Sequence, residues 1–209
     1  MKVKIRTLFF SANILLLLLF LTACSDDQPL LPHLQPGDTI VALGDSLTFG
    51  IGANPESSYP AELEKLTGFR VINSGVVGET TEGSIKRLPM ILQQYKPALV
   101  ILCIGGNDLL RRVPQDIIAN NLRSLISTIK RSGASVVLIA VPQPNLTLSV
   151  PNFYEEIAKG NDIPVDTTLL RRLLREYDYK SDTIHLNAAG YHAFAEGVSE
   201  LLKKSGAID

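Results

Sequence analysis

Apolar and polar residues follow two rhythms along this chain. Short, nearly unbroken apolar runs recur at Thr39–Leu43, Phe69–Ile72, Leu99–Ile104, Ser135–Val141 and Ile163–Val165. Each is bounded by glycine, proline or polar residues and is too short for a core helix, which predicts buried strands. Between them the apolar spacing becomes helical. Ser58–Leu66 predicts a helix in which Ser58 can cap and Pro60 suits the first turn. Thr80–Tyr95 carries Ile85, Leu88, Ile91 and Leu92 at helical spacing, interrupted by Pro89. Pro114–Arg131 is the clearest amphipathic stretch, with Ile117, Ile118, Leu122, Leu125, Ile126 and Ile129 on one face. Phe153–Ala158, Thr167–Glu176 and Ala188–Lys204 complete the predicted helices. Strands alternating with helices predict βαβ units, hence a parallel sheet with right-handed crossovers. Five such strands give a three-layer α/β/α sandwich, doubly wound in the flavodoxin-like manner.

Composition changes this picture at one end. Lys2, Lys4 and Arg6 precede an apolar run from Ile14 to Leu21, followed by Leu21-Thr22-Ala23-Cys24. A basic start, a short apolar core and a small residue before the cut predict a signal peptide over residues 1–23. The core is too short for a comfortable membrane span. The tetrapeptide resembles the lipobox of bacterial lipoproteins. That resemblance implies a lipid on Cys24, anchorage in the bacterial cell envelope and a periplasm-facing domain. Ser25, a residue other than aspartate, favours the outer membrane. The plainer alternative is an ordinary secretory signal with an incidental cysteine. Residues 24–38, with Pro29, Pro32 and Pro36 and no periodicity, are expected to tether the anchor to a single domain at 39–209. His33 lies in that tether and is expected in solvent.

Charge is nearly balanced. Loss of residues 1–23 would shift the formal charge from -1 to -4, which leaves no basic field for nucleic acid. The other cysteine, Cys103, sits inside an apolar run and is expected as a buried, inert thiol. With Cys24 lipidated, no disulfide can form. The sequon Asn145-Leu146-Thr147 is taken as chance.

Candidate chemistry collects where the predicted strands end. Leu43-Gly44-Asp45-Ser46-Leu47 places a hydroxyl just past the first strand, where open α/β sheets present reactive groups. Asn73 to Thr80 is a glycine loop whose N–H groups could approach a ligand. Gly105-Gly106-Asn107-Asp108 follows the third strand, and the Asn107 amide could meet developing negative charge. Asp182-Thr183-Ile184-His185 spaces a carboxylate to reach one imidazole nitrogen, which frees the other to accept a serine proton.

These four blocks, in this order, resemble those of the SGNH hydrolases, also called GDSL esterases, across Thr39 to Leu202. The resemblance implies the three-layer fold and assigns Ser46 as nucleophile, Asp182 as orienter and His185 as base. It assigns the oxyanion hole to the Ser46 N–H, Gly78 and Asn107, with Gly75 the weaker choice for the glycine. No Gly-x-Ser-x-Gly elbow occurs, which disfavours the ordinary α/β-hydrolase fold. The implied reaction is acyl transfer through Ser46 to water, needing no metal or organic cofactor. Asp45 and Asp108 are expected to hold backbone, His192 to be a surface or half-buried helix residue, and Arg171, Arg172 and Arg175 to form a solvated face. Tyr59-Pro60 is expected to pack beneath the first loop.

Within the family the chain is most similar to the small bacterial thioesterase/lysophospholipase/arylesterase branch. That likeness implies acyl esters, acyl thioesters or lysophospholipids as substrates; separately, a monomer is expected. Leu109, Leu110 and Arg111 would flank the acyl groove, with the Pro142–Pro151 loop opposite. Two departures stand out: the lipid anchor, and a short stretch between the fourth strand and Asp182. The alternatives are deacetylation of envelope polysaccharides and a non-catalytic binding lipoprotein. A complete set of site residues argues against the latter.

Overall fold

The computed structural model describes residues 28–209. The signal peptide, the lipobox and Cys24 lie outside the described residues. Five parallel strands form one sheet: β1 Thr39–Gly44, β2 Arg70–Gly75, β3 Leu99–Cys103, β4 Ser135–Ile139 and β5 Val165–Asp166. Their order, β2-β1-β3-β4-β5, is the flavodoxin-like winding. Its direction reverses between β1 and β3, so a crevice opens beyond the carboxyl ends of those two strands.

The helices divide into two layers. On one face α2 (Tyr59–Thr67) packs against α8 (Ala188–Lys204), with α7 (Leu169–Leu173) beside α8. On the other, α5 (Gln115–Arg131) lies between α3 (Thr81–Tyr95) and α6 (Phe153–Asn161). Single turns α1 (Ser46–Phe49) and α4 (Gly106–Leu110) follow β1 and β3. The central strands are wholly enclosed, from Ile40 to Leu43 and from Leu99 to Cys103, as a sheet covered on both faces requires.

Several local expectations are corrected. Pro89 does not interrupt α3; it sits on the exposed side, where water can satisfy the carbonyl it leaves unpaired. Ile117 is 47% exposed, because its neighbour Ile118 occupies the inward direction and the two point about 100° apart. Ser58 does not cap α2 with its side chain; its hydroxyl donates to the Pro55 carbonyl at 2.7 Å. Strand β2 extends through the polar run Asn73-Ser74-Gly75, which pairs with Ala42 to Gly44. Residues 28–38 do not hang free. Leu34 is buried, the N–H groups of Leu31 and Leu34 donate to Ser205 and Ala207, and Gln28 Oε1 accepts from Val165 N at 3.0 Å.

Candidate active site

Strand β1 must turn at once into α1, and Gly44 permits it. A Cβ there would lie 2.1 Å from Thr48 Oγ1 and 2.2 Å from the Cys103 carbonyl. The Asp45 carboxylate caps α1 by accepting from Leu47 N at 3.0 Å, so Ser46 becomes the first helical residue. Tyr59, fully buried, packs beneath with its hydroxyl 3.4 Å from Thr48 Oγ1. Ser46 Oγ is thereby presented 3.0 Å from His185 Nε2.

His185 reaches that place on a tight turn preceding α8. The Asp182 Oδ1 atom accepts the backbone N–H groups of Ile184 and His185, both at 2.8 Å. The Oδ2 atom lies 2.7 Å from His185 Nδ1. A carboxylate can only accept there, so Nδ1 carries the proton and Nε2 is left as the acceptor facing Ser46. Burial pushes the Asp182 carboxyl up, but the hydrogen bonds from the His185 ring and the two backbone groups outweigh it. They hold it below the usual carboxylate range, so it is ionised at neutral pH.

Opposite this pair stand the glycine loop and α4. Gly78 occupies a tight turn at φ +76°, closed by Glu79 N–H donating to the Val76 carbonyl at 3.2 Å. Gly75 instead ends β2, paired with Gly44 in the ladder. The Asn107 amide donates to the Glu79 carbonyl at 2.9 Å, and a longer contact of 3.4 Å reaches Asp45 Oδ2. Asp108 is buried and accepts from Thr81 N and Oγ1 at 2.9 and 2.7 Å, which ties α4 to the start of α3. It holds backbone, as its sequence position suggests.

Asp45 is 2% exposed, and desolvation pushes its carboxyl from the ordinary 3.8 to about 6, against the bond from Leu47 N–H and the attraction of His185. The folded state therefore binds more protons than the unfolded state between those values. This group's contribution to stability falls as pH rises through that window, by about 3 kcal/mol in all. Asp45→Asn keeps an oxygen for the cap and removes the charge. Its stability relative to the natural protein is expected to improve by most of that amount from pH 4 to pH 7, measured by urea unfolding across the range.

An aliphatic groove of about 230 Å³ runs from Ser46 and His185, walled by Ile51, Val77, Leu110, Val141, Leu148 and Ile184 among others. Of the three expected groove residues, Leu110 lines it. Leu109 faces a neighbouring hollow, and Arg111 donates to the Gly78 carbonyl at 3.0 Å. The loop from Pro142 does stand opposite, contributing Pro142, Pro144 and Leu148. Arg172 and Arg175 are exposed as expected, whereas Arg171 is half-buried with its Nε enclosed. His192 is half-exposed and 2.8 Å from Glu62 Oε2, and His33 meets Asp209 at 3.2 Å. Cys103 is buried, and burial pushes its thiol well above the ordinary value, which keeps it unreactive. Among the described residues no three His, Cys, Asp or Glu side chains gather as metal ligands.

A serine hydroxyl, an imidazole and a carboxylate in hydrogen-bonded series beyond a doubly wound sheet define a serine-dependent hydrolase site. The chain belongs to the GDSL-like Lipase/Acylhydrolase family, whose model matches residues 42–193, and it is a carboxylic ester hydrolase. It is 31% identical over 187 residues to an arylesterase of Vibrio mimicus, covering 81% of this chain and 90% of that one. It is 26% identical over 174 residues to thioesterase 1/protease 1/lysophospholipase L1 of Escherichia coli strain K12, covering 79% and 84%. The crystal structure of TesA superposes with a TM-score of 0.72 at 28% identity, covering 79% of this chain and 98% of that one.

Proposed function

We propose that this esterase cleaves aliphatic acyl esters or thioesters, lysophospholipids among them, through an acyl-enzyme on Ser46. The observation that carries this reading is the groove: its walls are aliphatic, and Ser46 and His185 stand within it. His185 Nε2 takes the Ser46 proton as Oγ attacks the acyl carbonyl. The carbonyl oxygen becomes an oxyanion met by the N–H groups of Ser46 and Gly78 and by the Asn107 amide. Collapse expels the alcohol or thiol, protonated by His185, and leaves the acyl group on Ser46. Water, deprotonated by His185, then attacks the acyl-enzyme and releases the acid. Asp182 fixes the ring and stabilises the imidazolium throughout.

Arylesterase and lysophospholipase relatives support this substrate class. Among the described residues the groove is also lined by no phenylalanine, tyrosine, tryptophan, lysine or arginine side chain of the kind that grips a sugar. We further infer that the protein works lipid-anchored at the bacterial envelope, on the strength of the Leu-Thr-Ala-Cys24 sequence.

The test is a series of p-nitrophenyl esters from acetate to palmitate, beside lysophospholipid and acyl-CoA, with acid-quenched mass spectrometry. Each buried methylene contributes about 0.8 kcal/mol. Hexanoate and octanoate are therefore expected to exceed acetate in kcat/KM by at least about 10-fold, with an acyl adduct on the Ser46 peptide. A preference for acetate overturns the acyl-chain reading in favour of deacetylation. No turnover of any ester supports the binding lipoprotein.

A further inference from the structure

The loop that carries Gly78 is held by an ion pair. The Arg87 guanidinium, from the second turn of α3, forks onto both carboxylate oxygens of Glu79 through Nε and Nη2. Its Nη1 donates to Ser74 Oγ at 2.7 Å, and Nη2 donates to the Ser74 carbonyl at 2.7 Å and the Gly44 carbonyl at 3.3 Å. The Gly44 carbonyl also accepts Val76 N–H at 3.0 Å. One planar group thus ties together the end of β1, the end of β2 and the loop between β2 and α3. The pair is sheltered, with side-chain exposures of 5% for Glu79 and 20% for Arg87.

Stability is a weak reason to keep such a pair, because the desolvation cost offsets most of the attraction. Its position supplies a better one. Glu79 follows Gly78 directly, and the Glu79 carbonyl holds the Asn107 amide at 2.9 Å. Gly44 lies two residues before Ser46. All three oxyanion donors therefore lie within two residues of a group that Arg87 or Glu79 touches.

We propose that Arg87 and Glu79 are positioning residues that set the spacing of the oxyanion donors around Ser46. The proposal rests on the acyl-enzyme reading given above. Neither residue touches the reacting atoms. A lysine cannot replace the fork, since its point charge has no fixed plane to meet two oxygens and two carbonyls at once. Misplacing donors by an ångström is enough to cost about 100-fold in rate.

The experiment measures kcat and KM for Arg87→Lys, Arg87→Ala and Glu79→Gln on the best p-nitrophenyl ester. It also measures the rate at which a fluorophosphonate labels Ser46, since that step builds negative charge on an oxygen in the same hole. Arg87→Lys is expected to lower kcat by 10- to 100-fold and to slow labelling in parallel, with KM changed less than about 3-fold. Methylguanidine is expected to restore part of the kcat of Arg87→Ala. If Arg87→Ala does not fold, Glu79→Gln decides, because it keeps the shape and weakens the fork. Folded Arg87→Lys and Glu79→Gln with natural kcat and labelling rate, whatever their melting temperatures, overturn the proposal. Ser46→Ala retaining a kcat near the natural one overturns the acyl-enzyme reading instead, so the two failures are distinguishable.

Discussion

Ser46→Ala and His185→Ala should each lower kcat by about 10⁴-fold or more, and the double variant should be no worse than either. The reason is the 3.0 Å contact between Ser46 Oγ and His185 Nε2. An unassisted hydroxyl is a poor nucleophile at neutral pH, and an imidazole with no hydroxyl to deprotonate has no acyl-enzyme to form. Removing one partner therefore removes nearly all that the other contributes. The residual rate in all three variants should be similar, reflecting the groove and oxyanion donors alone. Single-turnover kinetics on one p-nitrophenyl ester, with the variants' circular dichroism compared, checks this. A double variant weaker than the singles by another large factor would show that the two act independently.

Asn107→Ala is the second large effect, expected at about 10²- to 10³-fold in kcat with little change in KM. One N–H of the amide is spent on the Glu79 carbonyl, and the other has only the 3.4 Å contact with Asp45. That second N–H is the one free for an incoming oxygen, and it gains most as charge develops. The loss should fall on kcat, because the ground-state carbonyl is a weaker acceptor than the oxyanion. Combining Asn107→Ala with Arg87→Lys should cost less than the product of the single losses, since both act on the same hole. A KM rise with unchanged kcat would instead make Asn107 a substrate-binding group.

The parts of this molecule that the sequence displays are those governed by periodicity and by covalent neighbourhood. Ala188–Lys204 is helical over the whole expected range, and the strands appear in their expected order. The carboxylate at Asp182 reaches His185 because three residues in a turn leave it little choice. Features set by contacts between distant segments were hidden. Arg87, in the second turn of α3, follows Glu79 of the preceding loop by eight residues, and only the fold shows that it turns back onto that loop. Leu109 and Leu110 are adjacent and equally apolar, so nothing in the chain distinguishes the groove wall from its neighbour. The polar end of β2 likewise reads as loop until Gly44 is seen beside Gly75.

The docking of residues 28–38 along the C-terminal segment has a consequence for encounter with substrate. Under the proposed lipid on Cys24, only residues 25–27 separate the anchored residue from Gln28, which is bonded to Val165. Four Cα steps reach no farther than about 14 Å, less than the width of the domain itself. Such an enzyme would be on a short leash, unable to sample the bulk of its compartment. Its search would run in two dimensions along the leaflet, and surface density of acyl substrate rather than dissolved concentration would set its turnover.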